Sequence, residues 1–324
     1  MKISIWDILN LNFFKKQFNR YLNNIKEMEH LIRRITLLFI LFISSNVLGQ
    51  KTSLGYETIT HKLSSEDKDE YVLKITFPRD YNADEAYKTL YYLDAYWLSD
   101  ITLGCYTILD LCEYVEDVVF VGISLEGSEK DWNTQRNKDF TPSPYQNLGI
   151  HQTNPENKAK VVIKNRTGNQ FTKENTGGAS LFLDFLEQDV IQFVEETYPN
   201  LSKGKGLLGH SFGGLFGFYT LQNRPDLFQD YVIISAAVTW NSWELVDDQR
   251  FLKLKGFEND LSIYHSYGEQ EISSTRNANT AIKNILTELE LEELDYEFSP
   301  IKDANHYAVL SRAIYDGLLF LYKK

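Results

Sequence analysis

Residues 207–218 read Leu207-Leu208-Gly209-His210-Ser211-Phe212-Gly213-Gly214-Leu215-Phe216-Gly217-Phe218. Apolar residues lead in, a helix-forming run leads out, and a serine stands between two glycines at the junction. A strand that turns abruptly into a helix forces the corner residue to positive φ, and side chains two positions to either side would collide with the turn. Gly209 and Gly213 are expected to remove those collisions. Such a turn is a nucleophile elbow. It lifts the Ser211 hydroxyl above the sheet, beside a helix N-terminus whose N–H groups face developing negative charge. The competing reading is a tight structural turn and nothing more. The apolar strand before the turn and the helical pattern after it favour the elbow.

Working outward, Gly206–Leu208 is the elbow strand and Leu215–Asn223 its helix. Upstream, Thr58–His61 and Tyr71–Phe77 read as a hairpin around a polar turn at residues 64–69. Thr89–Leu93 and Val118–Ile123 read as strands separated by a helix over Thr102–Tyr114. Leu181–Tyr198 has apolar residues at helical spacing. Downstream come strands at Tyr231–Ser235, Leu261–Tyr267 and Tyr296–Ile301, and helices at Ala278–Leu291 and Tyr307–Tyr322. Strand–helix–strand alternation implies right-handed crossovers in a mostly parallel sheet flanked by helices, an α/β fold. Ser124–Gly178 is the least regular stretch, and a loop that long in a compact domain covers a site or moves.

The first 50 residues differ from the rest. Arg33-Arg34, an apolar run from Ile35 to Ile43 and small residues near Gly49 describe an export signal peptide, with residues 51–324 as a single domain. Met28 stands where such a peptide would begin, which makes it an alternative start to Met1. The apolar run is too short for an ordinary membrane span, so no stable membrane insertion is expected after cleavage, and the location expected is periplasmic or secreted. A single N-terminal anchor helix is the alternative. The 324-residue chain carries a net charge of −12, and without the leader's +4 the remainder is near −16. That balance argues against nucleic acid and anionic membrane surfaces as partners. Cys105 and Cys112 lie seven apart on one expected helix, about 10 Å between Cα atoms, too far for a disulfide.

A serine hydroxyl needs a base to take its proton, and the base needs an orienting acid. On folds with this elbow the chain order is serine, acid, histidine. Of six histidines, His30, His61 and His151 precede the serine, and His210 points away from its neighbour's hydroxyl. His265 lies inside an apolar strand, which leaves His306, on the loop after the last strand. The acid should follow the preceding strand. Glu271, which a glycine turn at Gly268 can fold back, is preferred over Glu269, with Asp303 third. The oxyanion donors expected are the backbone N–H of Phe212 and, from the loop after Leu90–Leu93, that of Tyr96 or else Ala95. Trp240, Trp97 and Arg136 are expected to border the substrate pocket, with Trp132 and Tyr145 nearby. A core position for Trp240 and a structural ion pair for Arg136 are the alternatives.

Several stretches together resemble a known family: Tyr91-Tyr92-Leu93-Asp94, Val121-Gly122-Ile123, Arg136-Asn137-Lys138-Asp139-Phe140-Thr141-Pro142, Gly177-Gly178-Ala179 and Gly209–Gly214. They resemble the putative esterase, or esterase D-like, family, over most of residues 55–322 and nearest to its exported siderophore-esterase-like members. Ala95 stands where those members commonly carry glycine. The resemblance implies an α/β-hydrolase fold without a separate cap domain, with Ser211 as nucleophile, His306 as base and Glu271 as acid. It also implies a serine carboxylic-ester hydrolase working through an acyl-enzyme. The partner implied is a small-molecule or polysaccharide-linked ester substrate. No cofactor is implied, and no metal-ligand spacing such as H-E-x-x-H occurs. An acyltransferase using an alcohol in place of water, and an inactive binding protein on the same fold, are the other two readings.

Overall fold

Alternation of side chains along each central strand decides the layering. In the elbow strand Leu207 faces one core and Leu208 the other. In the next strand Tyr231 and Ile233 face the first, and Val232 and Ile234 the second. Both faces are therefore apolar, and both must be covered by helices. The computed structural model describes residues 49–65, 69–146, 171–256 and 260–324. Residues 1–48 of the expected leader, the tip of the first hairpin turn and residues 147–170 lie outside them.

The strands are β1 (Gln50–Lys51), β2 (Glu57–Ser64), β3 (Glu70–Phe77), β4 (Lys88–Tyr92), β5 (Val118–Leu125), β6 (Lys205–His210), β7 (Asp230–Ile234), β8 (Leu261–Ser266) and β9 (Leu294–Phe298). They form one sheet in the order β1-β2-β3-β5-β4-β6-β7-β8-β9. The β1, β2, β3 and β5 neighbours pair antiparallel, and every pair from β5 through β9 is parallel. The hairpin at residues 57–77 and the parallel remainder match the sequence expectation. Helices α1 (Ala95–Leu111) and α9 (Leu310–Tyr322) cover one face. The other face carries α3 (Ala179–Phe185), α4 (Gln192–Thr197), α5 (Phe212–Asn223) and α8 (Ser273–Glu288).

The structure differs from expectation at four points. Leu181–Tyr198 is not one regular helix, because a π-helical turn at Leu186–Ile191 joins α3 to α4. The stretch Ser124–Gly178 is not wholly irregular, because it contains α2 (Glu129–Asp139). That helix carries almost no apolar residues, so hydrophobic periodicity could not reveal it. Its signal is the capping box, in which Ser128 accepts the Asp131 N–H and Asp131 accepts the Ser128 N–H. Two short helices, α6 (Trp240–Trp243) and α7 (Asp248–Phe251), follow β7 and were not expected. Helix α1 starts at Ala95, seven residues before the expected Thr102, because Asp94 turns the chain at φ 57° directly after β4.

Candidate active site

The C-terminal ends of the parallel strands bring the candidate residues together. β4 leads to Asp94, β6 to Ser211, β8 to the Gly268–Glu271 turn and β9 to the loop bearing His306. β4 is the switch point: the chain runs from it to β5 on one side, and β6 lies on the other. Ligand clefts of open α/β sheets form there.

Ser211 has φ 59° and ψ −113°, the strained corner expected of the elbow. Three backbone hydrogen bonds hold it. Its N–H donates to Ile234 O at 3.0 Å, and its carbonyl accepts Leu215 N–H and Ala237 N–H, both at 2.9 Å. A Cβ on Gly209 would lie 2.2 Å from Gly213 O, so that glycine is required. The expectation for Gly213 is corrected: a Cβ there meets nothing nearer than Asp94 Oδ2 at 3.5 Å. The tighter position is Gly214, where a Cβ would lie 3.0 Å from Ala236 Cα.

His306 Nε2 stands 3.0 Å from Ser211 Oγ, and Nδ1 stands 2.7 Å from Glu271 Oε2. A carboxylate only accepts, so Nδ1 carries the proton and Nε2 offers its lone pair to the Ser211 O–H. Glu271 is buried. Its Oε1 accepts the Ser235 O–H at 2.5 Å and the Gly268 N–H at 3.0 Å. Burial works to raise the Glu271 carboxyl. Hydrogen bonds from His306, Ser235 and Gly268, with the attraction of the imidazole when it is protonated, outweigh it and hold the group below the ordinary glutamate value. Gly268 is required because a Cβ there would lie 2.3 Å from Ala304 O, where the acid turn and the His306 loop touch. Of the three carboxylates considered, only Glu271 reaches the imidazole. Glu269 and Asp303 point to solvent.

The N–H groups of Phe212, Ala95 and Tyr96 sit in the first turns of α5 and α1, where no intrahelical acceptor exists. Among the described residues none of the three has an acceptor, whereas Trp97 and Leu98 N–H both return to Asp94 O, at 3.1 and 3.0 Å. Asp94 is fastened by Arg136, whose Nε and Nη2 each donate to one carboxylate oxygen at 2.8 Å. The guanidinium also lies over the rings of Trp132, Phe140 and Phe212. Arg136 borders the cleft as expected, but its fork is engaged by Asp94, so the structural ion pair is its observed use. That fixes the loop before α1 against the elbow.

The described residues enclose a cleft of about 140 Å³ in front of Ser211, walled by Trp97, Trp132, Phe171, Phe212 and Tyr307. Trp97 therefore lies where the sequence placed it. Trp240 does not. It is buried, donates its indole N–H to Ser143 O at 3.1 Å, and packs edge-on behind Phe212 and Phe171 at 5.5 and 5.6 Å. The bond to Ser143 O holds it there, and the chain turns through positive φ at Asn241 and Ser242 just after it. Tyr145 packs on the same cluster.

His265 is a packed strand residue as expected, bonded to Tyr296 and Asn279, with its pKa brought down to about 4 by burial. Three contributors escaped sequence reasoning. Ser235 and Phe171 give no local signal. Asn137 lies inside the Arg136–Pro142 motif, borders the cleft fully buried, and has neither carboxamide atom paired among the described residues.

A strained serine at the switch point, bonded through a histidine to a buried carboxylate on a mostly parallel sheet, places the chain in the α/β-hydrolase class. Residues 64–320 match the family described as Putative esterase, and the chain belongs to that family. It is 28% identical over 207 residues to the ferri-bacillibactin esterase BesA of Bacillus subtilis, covering 62% of this chain and 66% of that protein. It is 36% identical over 88 residues to the siderophore triacetylfusarinine C esterase of Aspergillus fumigatus, covering 26% of this chain and 30% of that one. The chain thus spans two thirds or less of the length of these curated relatives. Among solved structures it resembles the BES protein from Bacillus cereus, with TM-score 0.71 and 22% identity, over 85% of this chain and 98% of that one. The siderophore hydrolase EstA from Aspergillus nidulans follows at TM-score 0.63 and 20% identity, covering 82% and 93%. These two likenesses show the fold.

Proposed function

We propose that the protein is a serine carboxylic-ester hydrolase acting through an acyl-enzyme, with siderophore-type esters as its substrate class. The observation that carries the reading is the unbroken hydrogen-bond chain Ser211–His306–Glu271. Ser211 Oγ attacks the ester carbonyl while His306 Nε2 takes its proton, and Glu271 steadies the resulting imidazolium. Negative charge on the carbonyl oxygen is met by the N–H of Phe212 and by Tyr96 or Ala95. Collapse of the tetrahedral intermediate breaks the bond to the alcohol, which leaves with the proton from His306. Water then adds by the same route, and the acid departs.

The substrate class is supported by the resemblance to siderophore esterases and by the aromatic walls of the cleft. Trp132 lies parallel to Tyr96 with 5.5 Å between ring centroids, a surface suited to flat groups. A cleft of about 140 Å³ admits one ester-bearing limb, since pockets that enclose a whole drug-sized ligand run to roughly 300–1,000 Å³. Export to the periplasm or medium belongs to the same reading and rests on the leader-like residues near Arg33–Gly49. N-terminal sequencing of protein recovered outside the cytoplasm should find a new terminus near Gly49 or Gln50.

The test is turnover of p-nitrophenyl acetate and butyrate and of a trilactone siderophore by wild type, Ser211→Ala and His306→Ala. Wild type should hydrolyse them and take up a fluorophosphonate at Ser211, and both variants should fall by several orders of magnitude. A wild type that neither hydrolyses an ester nor takes the label overturns the proposal.

A further inference from the structure

His210 stands between the required glycine and the strained serine, and the reaction just described leaves it without a part. It is the last residue of β6 and is buried. Its Nε2 lies 2.8 Å from the main-chain oxygen of His306. A carbonyl only accepts, so Nε2 carries the proton and donates, and Nδ1 is left as a bare lone pair. Among the described residues that Nδ1 has no partner. The two imidazole rings are 4.5 Å apart, tilted by 43°, and Trp97 meets His210 edge-on at 5.7 Å. Burial first, then the neighbouring His306 and Arg136, hold the His210 pKa far below the ordinary histidine range, so the ring is neutral.

We propose that His210 is a positioning residue: its Nε2–H pins the main chain of His306, tying the loop that carries the base to the turn that carries the nucleophile. The inference rests on the hydrolase reading above. Ser211 follows β6 and His306 follows β9, with β7 and β8 between them. The His306 loop has other anchors. Gln270 N–H donates to Ala304 O at 2.9 Å, and the Asn305 side chain accepts the Tyr307 and Ala308 N–H groups. Those bonds tie the loop to the acid turn and to itself. Among the described residues, the His210 bond is what joins the His306 main chain to the elbow. A displacement near 1 Å between reacting groups costs on the order of 10²-fold in rate, so one such tether has a measurable effect.

The variants are His210→Leu, which keeps apolar volume without a donor, and His210→Gln. Glutamine places its amide nitrogen the same number of bonds from the backbone as Nε2, and so can donate to the same carbonyl. With p-nitrophenyl butyrate, His210→Leu should lose roughly 10–100-fold in kcat with KM nearly unchanged. His210→Gln should return to within a few-fold of wild type. Thermal unfolding identifies a variant that has lost its fold. Equal activity in the two folded variants, whether high or low, overturns the proposal, because the donor would then be irrelevant.

A readout free of turnover is the tautomer of His210 by nitrogen-15 NMR of the imidazoles in wild type. A neutral ring protonated at Nε2 is expected, and one protonated at Nδ1 overturns the tether. A wild type that shows the expected tautomer but cleaves no ester would defeat the hydrolase reading and leave the tether standing.

Discussion

Replacing Glu271 by glutamine should remove nearly all activity while leaving the shape of the site intact. Two donors, the Ser235 O–H at 2.5 Å and the Gly268 N–H at 3.0 Å, converge on Oε1. A glutamine carboxamide will turn its carbonyl oxygen to those two donors and present its NH2 to His306 Nδ1, 2.7 Å away in the parent. Nδ1 must then accept, which moves the imidazole proton to Nε2, where it faces Ser211 and cannot take the serine proton. The comparable acid-to-amide change in serine proteases costs about 10⁴-fold in kcat, which at 1.36 kcal/mol per tenfold is about 5.4 kcal/mol. Because the His306 side chain is 34% exposed and water can compete for its nitrogens, about 10³–10⁴-fold is the expectation here. The assay is p-nitrophenyl butyrate hydrolysis by Glu271→Gln beside Glu269→Gln, which should stay within about twofold of wild type because Glu269 points to solvent. Retention of a tenth or more of the wild-type kcat in Glu271→Gln, or an equal loss in Glu269→Gln, would refute the tautomer argument.

Arg136→Met should leave the Asp94 carboxylate buried without its partner and cost about 3–5 kcal/mol of stability, which urea unfolding would read as a lowered midpoint. Adding Asp94→Asn should recover part of that loss, and no recovery would mean that the ion pair is not its source. His265 is fully buried and neutral, with its pKa lowered from 6.5 to about 4, so the unfolded chain binds the extra proton between those values. Its contribution to stability is therefore complete above pH 6.5, is lost as pH falls toward 4, and amounts to about 3 kcal/mol at most. Urea unfolding at pH 7 and pH 4.5 should show a smaller acid loss in His265→Gln than in wild type, and an equal loss would exclude His265 as a source.

Much of the scaffold follows from short-range rules. The elbow at Gly209–Gly214 is a local clash problem with a local answer, and the structure returns the strained serine that the answer requires. Apolar runs between helical stretches specify a mostly parallel sheet, because a strand buried on both faces has few other sequences available. The order of serine, acid and histidine along the chain narrows six histidines to His265 and His306, and the apolar strand around His265 leaves His306 as the candidate at a strand end. Helix α2 is a partial case. Its capping box was present in the sequence, but its buried residues are Trp132, Asn133, Asn137 and Asp139, so the apolar period that marks most helices was absent.

What remained belongs to distances between residues far apart in the chain. Glu271 and Glu269 are two positions apart and chemically alike, and in the folded chain the Gly268 turn, docked against Ala304, brings Glu271 to His306 and leaves Glu269 exposed. Arg136 and Asp94 are 42 residues apart, and their bidentate pairing turned a possible substrate ligand into an internal clamp. Trp240 fell behind the cleft wall, where its indole N–H meets Ser143 O, 97 residues away in the chain. Side-chain type and spacing thus determined the fold and which residues could act. Sheet order and loop packing, which sum over contacts no single segment contains, decided which of them meet.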